Sequence, residues 1–312
     1  MRSRRELFCQ VLRALAGFAL AGARGDAVAV PEVDRLGATP SAWDSIRTRA
    51  YRADVVVALL GVPIFSRRGV GSAAASVREC RVAVGRTTAL SFAGGADRAR
   101  THGLNYAGST EEVAVENASR LETAALFGFV TAARSEESFE EARQRVLDAD
   151  ESEHGTFTVV DELHSPSRIC VRKANVGGSI FSCAKLGGLR SAIRERMRNA
   201  DAAQKEYAGP PDRALPTFLY ATLGAIRSEA RQCSVVYAHN GKTYELTCEK
   251  SAAQGQTLIA GKIREIETKR RSSFRLWLDP GCDLPARIEF SPRSYLRITL
   301  EQDSAIAAEE GL

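Results

Sequence analysis

The stretch "CSVVYAHNGKTYELTC", residues 233–248, decides how this chain folds. Asn240-Gly241 is the dipeptide that type I′ hairpin turns prefer, because both central residues must adopt positive φ. With that two-residue loop His239 faces Lys242, and counting outward sets Cys233 opposite Cys248. The register makes them a hydrogen-bonded antiparallel pair with Cα atoms about 5.5 Å apart, inside the disulfide range. A bridge closing a loop of this length contributes about 3 kcal/mol in the chain-entropy model.

The residues that follow keep to extended structure. Phe274, Leu276 and Leu278 share one face of "FRLWLD", Ile288 and Phe290 one face of "ARIEF", and Leu296, Ile298 and Leu300 one face of "SYLRITL". That period of two marks antiparallel strands with one buried side. The other side collects Arg275, Trp277, Arg287, Glu289, Tyr295 and Arg297, a charged outer surface suited to ion pairs and cation–π contacts. Upstream, "RADVVVALLGVPIF" reads as a buried strand apolar on both faces. Further strands are expected at 74–84, 87–93, 112–117, 124–132, 155–162, 168–173 and 179–184.

Helices are expected near 138–149, 187–207 and 215–227. The first opens with Ser138 and Glu141 at capping-box spacing. The second places Leu189, Ile193, Met197 and Ala200 on one face, with Arg190, Arg194 and Arg198 on a face expected to be solvated. The third follows the Pro210-Pro211 break. The fold class is therefore mainly β, a β-rich α+β chain: a curved, mostly antiparallel sheet or partly open barrel with two or three helices. Residues 51–301 form one domain, 24–50 a linker or N-terminal arm, and 302–312 an acidic tail.

The amino terminus reads as an export signal over residues 1–23. Arg2, Arg4 and Arg5 precede a thin apolar run that ends in the small residues Ala21-Gly22-Ala23. The run is shorter than the roughly 20 apolar residues a transmembrane helix needs. "SRRELF" also resembles the twin-arginine motif, and the twin-arginine and general routes both stay open. Without this segment the formal charge falls from +5 to +2, so the basic balance is no argument for nucleic acid. The expected location is periplasmic or secreted, with no transmembrane helix in the mature chain.

Six cysteines lie beyond the signal, an even count that suits an oxidising compartment. "CVRKANVGGSIFSC" is readable as a second hairpin. Cys170 faces Cys183 if the turn is Val176-Gly177, but Gly177-Gly178 serves equally as a turn and shifts them. Cys80 and Cys282 then pair by elimination; the alternative is six buried free thiols. No Cys-x-x-Cys occurs and the four histidines are scattered, so neither a metal nor a cofactor is expected.

Motifs that carry chemistry are sparse. "GVGSAA" (69–74) has the glycine spacing of a dinucleotide-binding turn, but no acidic residue follows at the required distance, and a hairpin turn explains it better. There is no Gly-x-Ser-x-Gly elbow, no phosphate-cradling loop and no His-Glu-x-x-His. In "DELH" (161–164), Glu162 and His164 share a strand face and could pair as acid and base, although a polar cluster at a strand end is the simpler account. The Glu111-Glu112 and Glu136-Glu137 pairs read as solvated carboxylates.

"LPTFLYATLGAIR", "VVYAHNGKTYELTC" and "FRLWLDPGCDLPARIEF" resemble, in that order, a short helix, a hairpin and a Trp-containing strand end of the exported bacterial proteins in domain-of-unknown-function family 3108. "VVVALLGVPIFSRRGVGSAAASV" is similar to that family's opening hairpin. The resemblance covers residues 51–80 and 214–301, and it implies an envelope location and a curved, mostly antiparallel sheet; it carries over no catalytic residue, because none is established for the family. Three functions are open at this point. One is a non-catalytic exported protein holding an apolar ligand such as a lipid, or an envelope partner. Another is an exported enzyme built on His102, Glu162 and His164. The last is a purely structural component of the envelope.

Overall fold

The computed structural model describes residues 43–59, 62–82, 85–96, 107–131, 154–179 and 186–304. Two meanders make up the chain. The first contains β1 (Ser45–Leu59), β2 (Val62–Val82), β3 (Gly85–Ala96), β4 (Ala107–Asn117), β5 (Arg120–Thr131), β6 (His154–Ser165), β7 (Arg168–Ser179), helix α1 (Leu186–Arg198) and β8 (Ala203–Ala208). Helix α2 (Phe218–Arg227) links it to the second, made of β9 (Gln232–His239), β10 (Lys242–Ala253), β11 (Gln256–Glu265), β12 (Arg271–Leu278), β13 (Arg287–Arg293) and β14 (Leu296–Gln302). All fourteen strands join one sheet in the order β8-β7-β6-β5-β4-β3-β2-β1-β14-β13-β12-β11-β10-β9. Each neighbouring pair is antiparallel, and β1 zips onto β14 at the centre. The sheet is curved but not closed by backbone hydrogen bonds, because β8 and β9 are its two edges.

The Asn240-Gly241 turn has φ of 58° and 69°, and His239 faces Lys242. Gly241 is required twice over, since a Cβ there would also lie 2.3 Å from the Tyr207 ring on β8. Cys233 and Cys248 are opposite each other and disulfide-bonded, with Cα atoms 5.4 Å apart. The apolar faces of the C-terminal strands meet in one core, where Phe274, Leu276, Phe290, Ile298 and Leu300 pack with Tyr51, Val55 and Val57 of β1. On the outer face Arg287 sits 4.9 Å from the Trp277 ring centroid and 2.6 Å from Glu289.

Several expectations need correction. Strand β1 starts at Ser45, so the last residues of the expected arm belong to the sheet. "RADVVVALLGVPIF" is divided between β1 and β2 rather than forming one strand. "GVGSAA" is no turn: β2 runs straight through it. Gly69, at φ 61°, forms a bulge, and its N–H donates to Asp54 Oδ1 at 2.7 Å. The expected helix 187–207 stops at Arg198, and Ala203–Ala208 pairs with the edge of β7 instead. "AQKEY" has good helix propensity, but an unfilled sheet edge outweighs so weak a preference.

The second hairpin is absent as well. β7 passes unbroken through Val176, Gly177 and Gly178, paired with β6 along its length, so Cys170 does not face Cys183 across a turn there. Cys170 and Cys80 are buried free thiols and Cys282 is a free thiol in the turn after β12; Cys183 lies outside the described residues. So do the export signal, the expected helix 138–149 and the Glu136-Glu137 pair.

Strands β5, β6 and β7 are covered on both sides. On the outer side Ile193 and Met197 of α1 pack on Phe127, Phe129, Phe157 and Val159. On the inner side Leu126, Val160, Ile169 and Val171 meet Ala238 of β9, with Tyr207 and Leu215 beside them. This explains the nearly continuous burial from Ala124 to Val130. Replacing Cys233 and Cys248 together by serine should lower unfolding free energy by about 3 kcal/mol, measured by urea denaturation against the oxidised parent.

Candidate ligand site

Helix α2 lies inside the curl of the sheet. Ala221 and Ala225 pack into the main core, and Leu223 meets Val77, Leu90 and Leu284. Nothing in its own first turn is acidic, and its N-cap Thr217 makes no side-chain capping bond. The cap comes from β4, over a hundred residues away. Glu112 accepts hydrogen bonds from Leu219 N at 3.1 Å, Tyr220 N at 3.0 Å and Thr217 Oγ1 at 2.5 Å. A carboxylate there offsets the positive end of the helix dipole. At the other end Lys250 Nζ donates to Ile226 O at 2.8 Å and also to Ser228 O.

Between α2 and the sheet lies a cavity of about 160 Å³. Its lining is almost wholly apolar, with Phe218, Leu223 and Ile226 from α2 facing Phe92, Phe274 and Phe290 from the strands. An ion-pair ring borders it at Asp283. Arg227 contacts Glu79 at 2.8 Å and Asp283 at 2.6 Å, and Arg47 contacts the same two carboxylates at 2.5 and 2.6 Å. The Arg227 hydrogen bond, supported by the nearby arginines, holds the Glu79 carboxyl below its ordinary range in spite of partial burial.

Two cross-strand steps from Glu112, along the row Glu112–Leu126–Glu162, stands the second buried carboxylate. Glu162 and His164 are both fully buried on the inner face of β6. His164 Nε2 lies 3.0 Å from Glu162 Oε2, and its Nδ1 lies 2.8 Å from Leu215 O. Glu162 Oε1 accepts from Asn240 N at 2.5 Å, and His239 Nδ1 lies 3.4 Å from the same oxygen. Burial favours the neutral acid, but His239, His164 and the Asn240 N–H outweigh it and hold the Glu162 carboxyl low. These contacts tie the β9–β10 turn to β6. Two backbone bonds reinforce the closure: Ala238 N donates to Pro216 O at 3.0 Å, and Ala214 N to Leu121 O at 3.0 Å.

Of the expected site residues, then, the structure brings Glu162 and His164 into contact, while His102 lies outside the described residues. Neither Glu162 nor His164 lines the apolar cavity. Sequence reasoning missed Glu112, which is 1% exposed rather than solvated. The signal available was its period-two phase on β4, since Glu112 and Ala114 share the inward face. It also missed His239 and Asn240, which sit in the turn that was recognised for its conformation alone. Among the described residues no group of three or more His, Cys, Asp or Glu side chains could hold a metal ion, and no helix is long and apolar enough to cross a membrane.

No family model matches the sequence, and no curated protein matches it. Among solved structures, one similar chain is a β-barrel-like protein of domain of unknown function 1849 from Brucella abortus. It is 7% identical, with a TM-score of 0.42, and the match covers 82% of this chain and 95% of that one.

Two outcomes follow. Burial pushes the Glu112 carboxyl up to about 7, with Glu162 adding repulsion and the three donors opposing. The folded state therefore binds an extra proton above the unfolded carboxyl range near 4.3, and stability should fall as pH rises from there through about 7. Urea midpoints of Glu112→Gln should lack this decline, so the wild type loses ground to the variant between pH 5 and pH 7.5. Glu162→Ala strips Asn240 N–H and His164 of a buried acceptor and should cost about 3 kcal/mol or more, with faster amide exchange at Ala238 and Asn240.

Proposed function

We propose that this is a non-catalytic protein of the cell envelope, periplasmic or secreted, that holds an apolar ligand between its curled sheet and helix α2. The observation that carries the proposal is the apolar cavity of about 160 Å³ beneath α2. An engineered cavity of about 150 Å³ with Leu, Ile and Phe walls stays dry and takes up benzene. The space therefore suits one ring or a short run of acyl chain. A longer chain requires α2 to shift outward against Glu112 and Lys250 at its two ends.

Support for export comes from the arginine-led apolar segment at residues 1–23 and from the Cys233–Cys248 disulfide, a bond that persists in oxidising compartments. The resemblance of residues 51–80 and 214–301 to domain-of-unknown-function family 3108 points to the same compartment. An enzymatic reading built on Glu162 and His164 has their 3.0 Å contact behind it. Both side chains are fully buried, however, and bonded to backbone, so a substrate has no approach to them.

The test is mass spectrometry of the protein recovered from its own host's envelope fraction, joined to titration of the purified protein with N-phenyl-1-naphthylamine. A mature terminus near residue 24, a co-purifying apolar compound and saturable dye binding lost in Leu90→Trp are expected. An intact Met1 in the cytosol, with no retained compound and no saturable dye binding, overturns the proposal.

A further inference from the structure

Glu111 and Glu112 are consecutive on β4, so their side chains leave the sheet on opposite faces. Glu112 enters the interior beneath α2. Glu111 emerges on the outer face, where three guanidiniums converge on it. Arg78 NH2 of β2 donates to Oε1 at 2.9 Å, Arg194 NH2 of α1 donates to Oε2 at 2.9 Å, and Arg190 NH1 of α1 lies 3.9 Å from Oε1. Arg190 spends its other nitrogens on Ser109 Oγ, at 3.1 and 2.8 Å. Aromatic faces support the other two: Arg194 sits 4.5 Å from the Phe127 centroid and Arg78 5.1 Å from that of Trp43.

The sequence pattern alone assigned Arg190 and Arg194 to a solvated face. Helix geometry corrects this. At 100° per residue Arg190 and Arg194 flank the Ile193–Met197 stripe rather than oppose it, so they turn toward the sheet.

Within the described residues the charges do not balance. Three cations share one carboxylate, and among the described residues no other acidic group pairs with them. The cluster is only partly open to water, the arginine side chains being 21–30% exposed and Glu111 16%. The Nε atoms of Arg78 and Arg194 are buried with no hydrogen-bond partner. Burial lowers the pKa of the Arg190 guanidinium, and repulsion from Arg194 and Arg78 adds to it, although Glu111 pulls the other way. The neighbouring ring around Arg227 is different, since there Arg47, Arg86 and Arg227 meet the carboxylates of Glu79, Asp283 and Glu116. A surplus of planar, multidentate donors at fixed spacing is the chemistry that recognises phosphate and sulfate groups.

We propose that Arg78, Arg190 and Arg194 form a binding site for a tetrahedral oxyanion, with Glu111 holding the three side chains in position without neutralising them. The ligand supplies the missing negative charge and links α1 to β2 and β4. It is either a free phosphate-type ion or the phosphate of a larger molecule such as an anionic lipid headgroup. The site lies on the opposite face of the sheet from the apolar cavity and does not depend on it.

Inorganic phosphate is the probe, titrated into the full chain at low ionic strength with sodium chloride as the control. Binding is followed by calorimetry and by Trp43 fluorescence, with Trp277→Phe as the background. Saturable binding at millimolar phosphate is expected. Arg194→Gln and Arg78→Gln should each weaken it by about tenfold or more, and Arg196→Gln, whose contact is with the Gly177 carbonyl, should leave it unchanged. A folded wild-type chain that shows no saturable phosphate or sulfate binding overturns the proposal, as does binding that survives in both arginine variants. Vesicles of phosphatidylglycerol and of phosphatidylcholine separate the two sources. Retention on the former that free phosphate displaces assigns a lipid headgroup; phosphate binding without vesicle retention assigns a soluble oxyanion.

Discussion

One carboxylate joins the two meanders of an open sheet. Glu162, fully buried on β6, accepts the N–H of Asn240 from the far meander and contacts His164 from its own strand. A backbone donor and two imidazoles surround it, so the cost of removing its charge from water is offset locally. Remove this acceptor and the β9–β10 turn loses its seat against β6. The curl that encloses α2 would then lean on the strap through Ala214 and Pro216 and on apolar contacts such as that of Ala238. The cavity exists because the curl is held and because α2, capped by Glu112, fills most but not all of the space inside.

The same row of the sheet holds both acids, and that gives the interior its character. Glu112 and Glu162 are separated by Leu126, in an otherwise apolar environment, and each repels the ionised form of the other. Their partners differ in kind. Glu162 faces imidazoles that can carry positive charge, whereas Glu112 faces only neutral donors at a helix start. Two identical side chains with one strand between them therefore titrate in opposite directions from their ordinary value.

What was legible in the sequence was local or periodic. The Asn240-Gly241 turn fixed the register of a whole hairpin, and with it the Cys233–Cys248 bridge, because loop length and strand counting need no distant information. The C-terminal strands were equally clear, since each hides one face. The failures share a cause, which is that a distant partner overrode a local preference. Gly69 reads as a turn until Asp54 of β1 is seen to accept its N–H. Residues 203–208 read as helix until β7 is seen to offer an edge. Glu112 reads as a solvated acid because the helix it caps begins over a hundred residues later. For Glu162 and His164 the shared face was predictable, but their complete burial under the other meander was not.

The strand order carries a consequence for assembly. Each meander consists of hairpin neighbours, and among the described residues the two halves pair strand to strand at β1 with β14, far apart in sequence. Closing so long a loop is entropically slow compared with hairpin formation. Each half can build its own ladder early, while the central junction waits for the last strand. Until then the flank of β1 and the inner side of every strand remain wettable and prone to pairing with strangers. A chain wired in this way spends its vulnerable time before β14 docks, and gains its single continuous sheet in one late step.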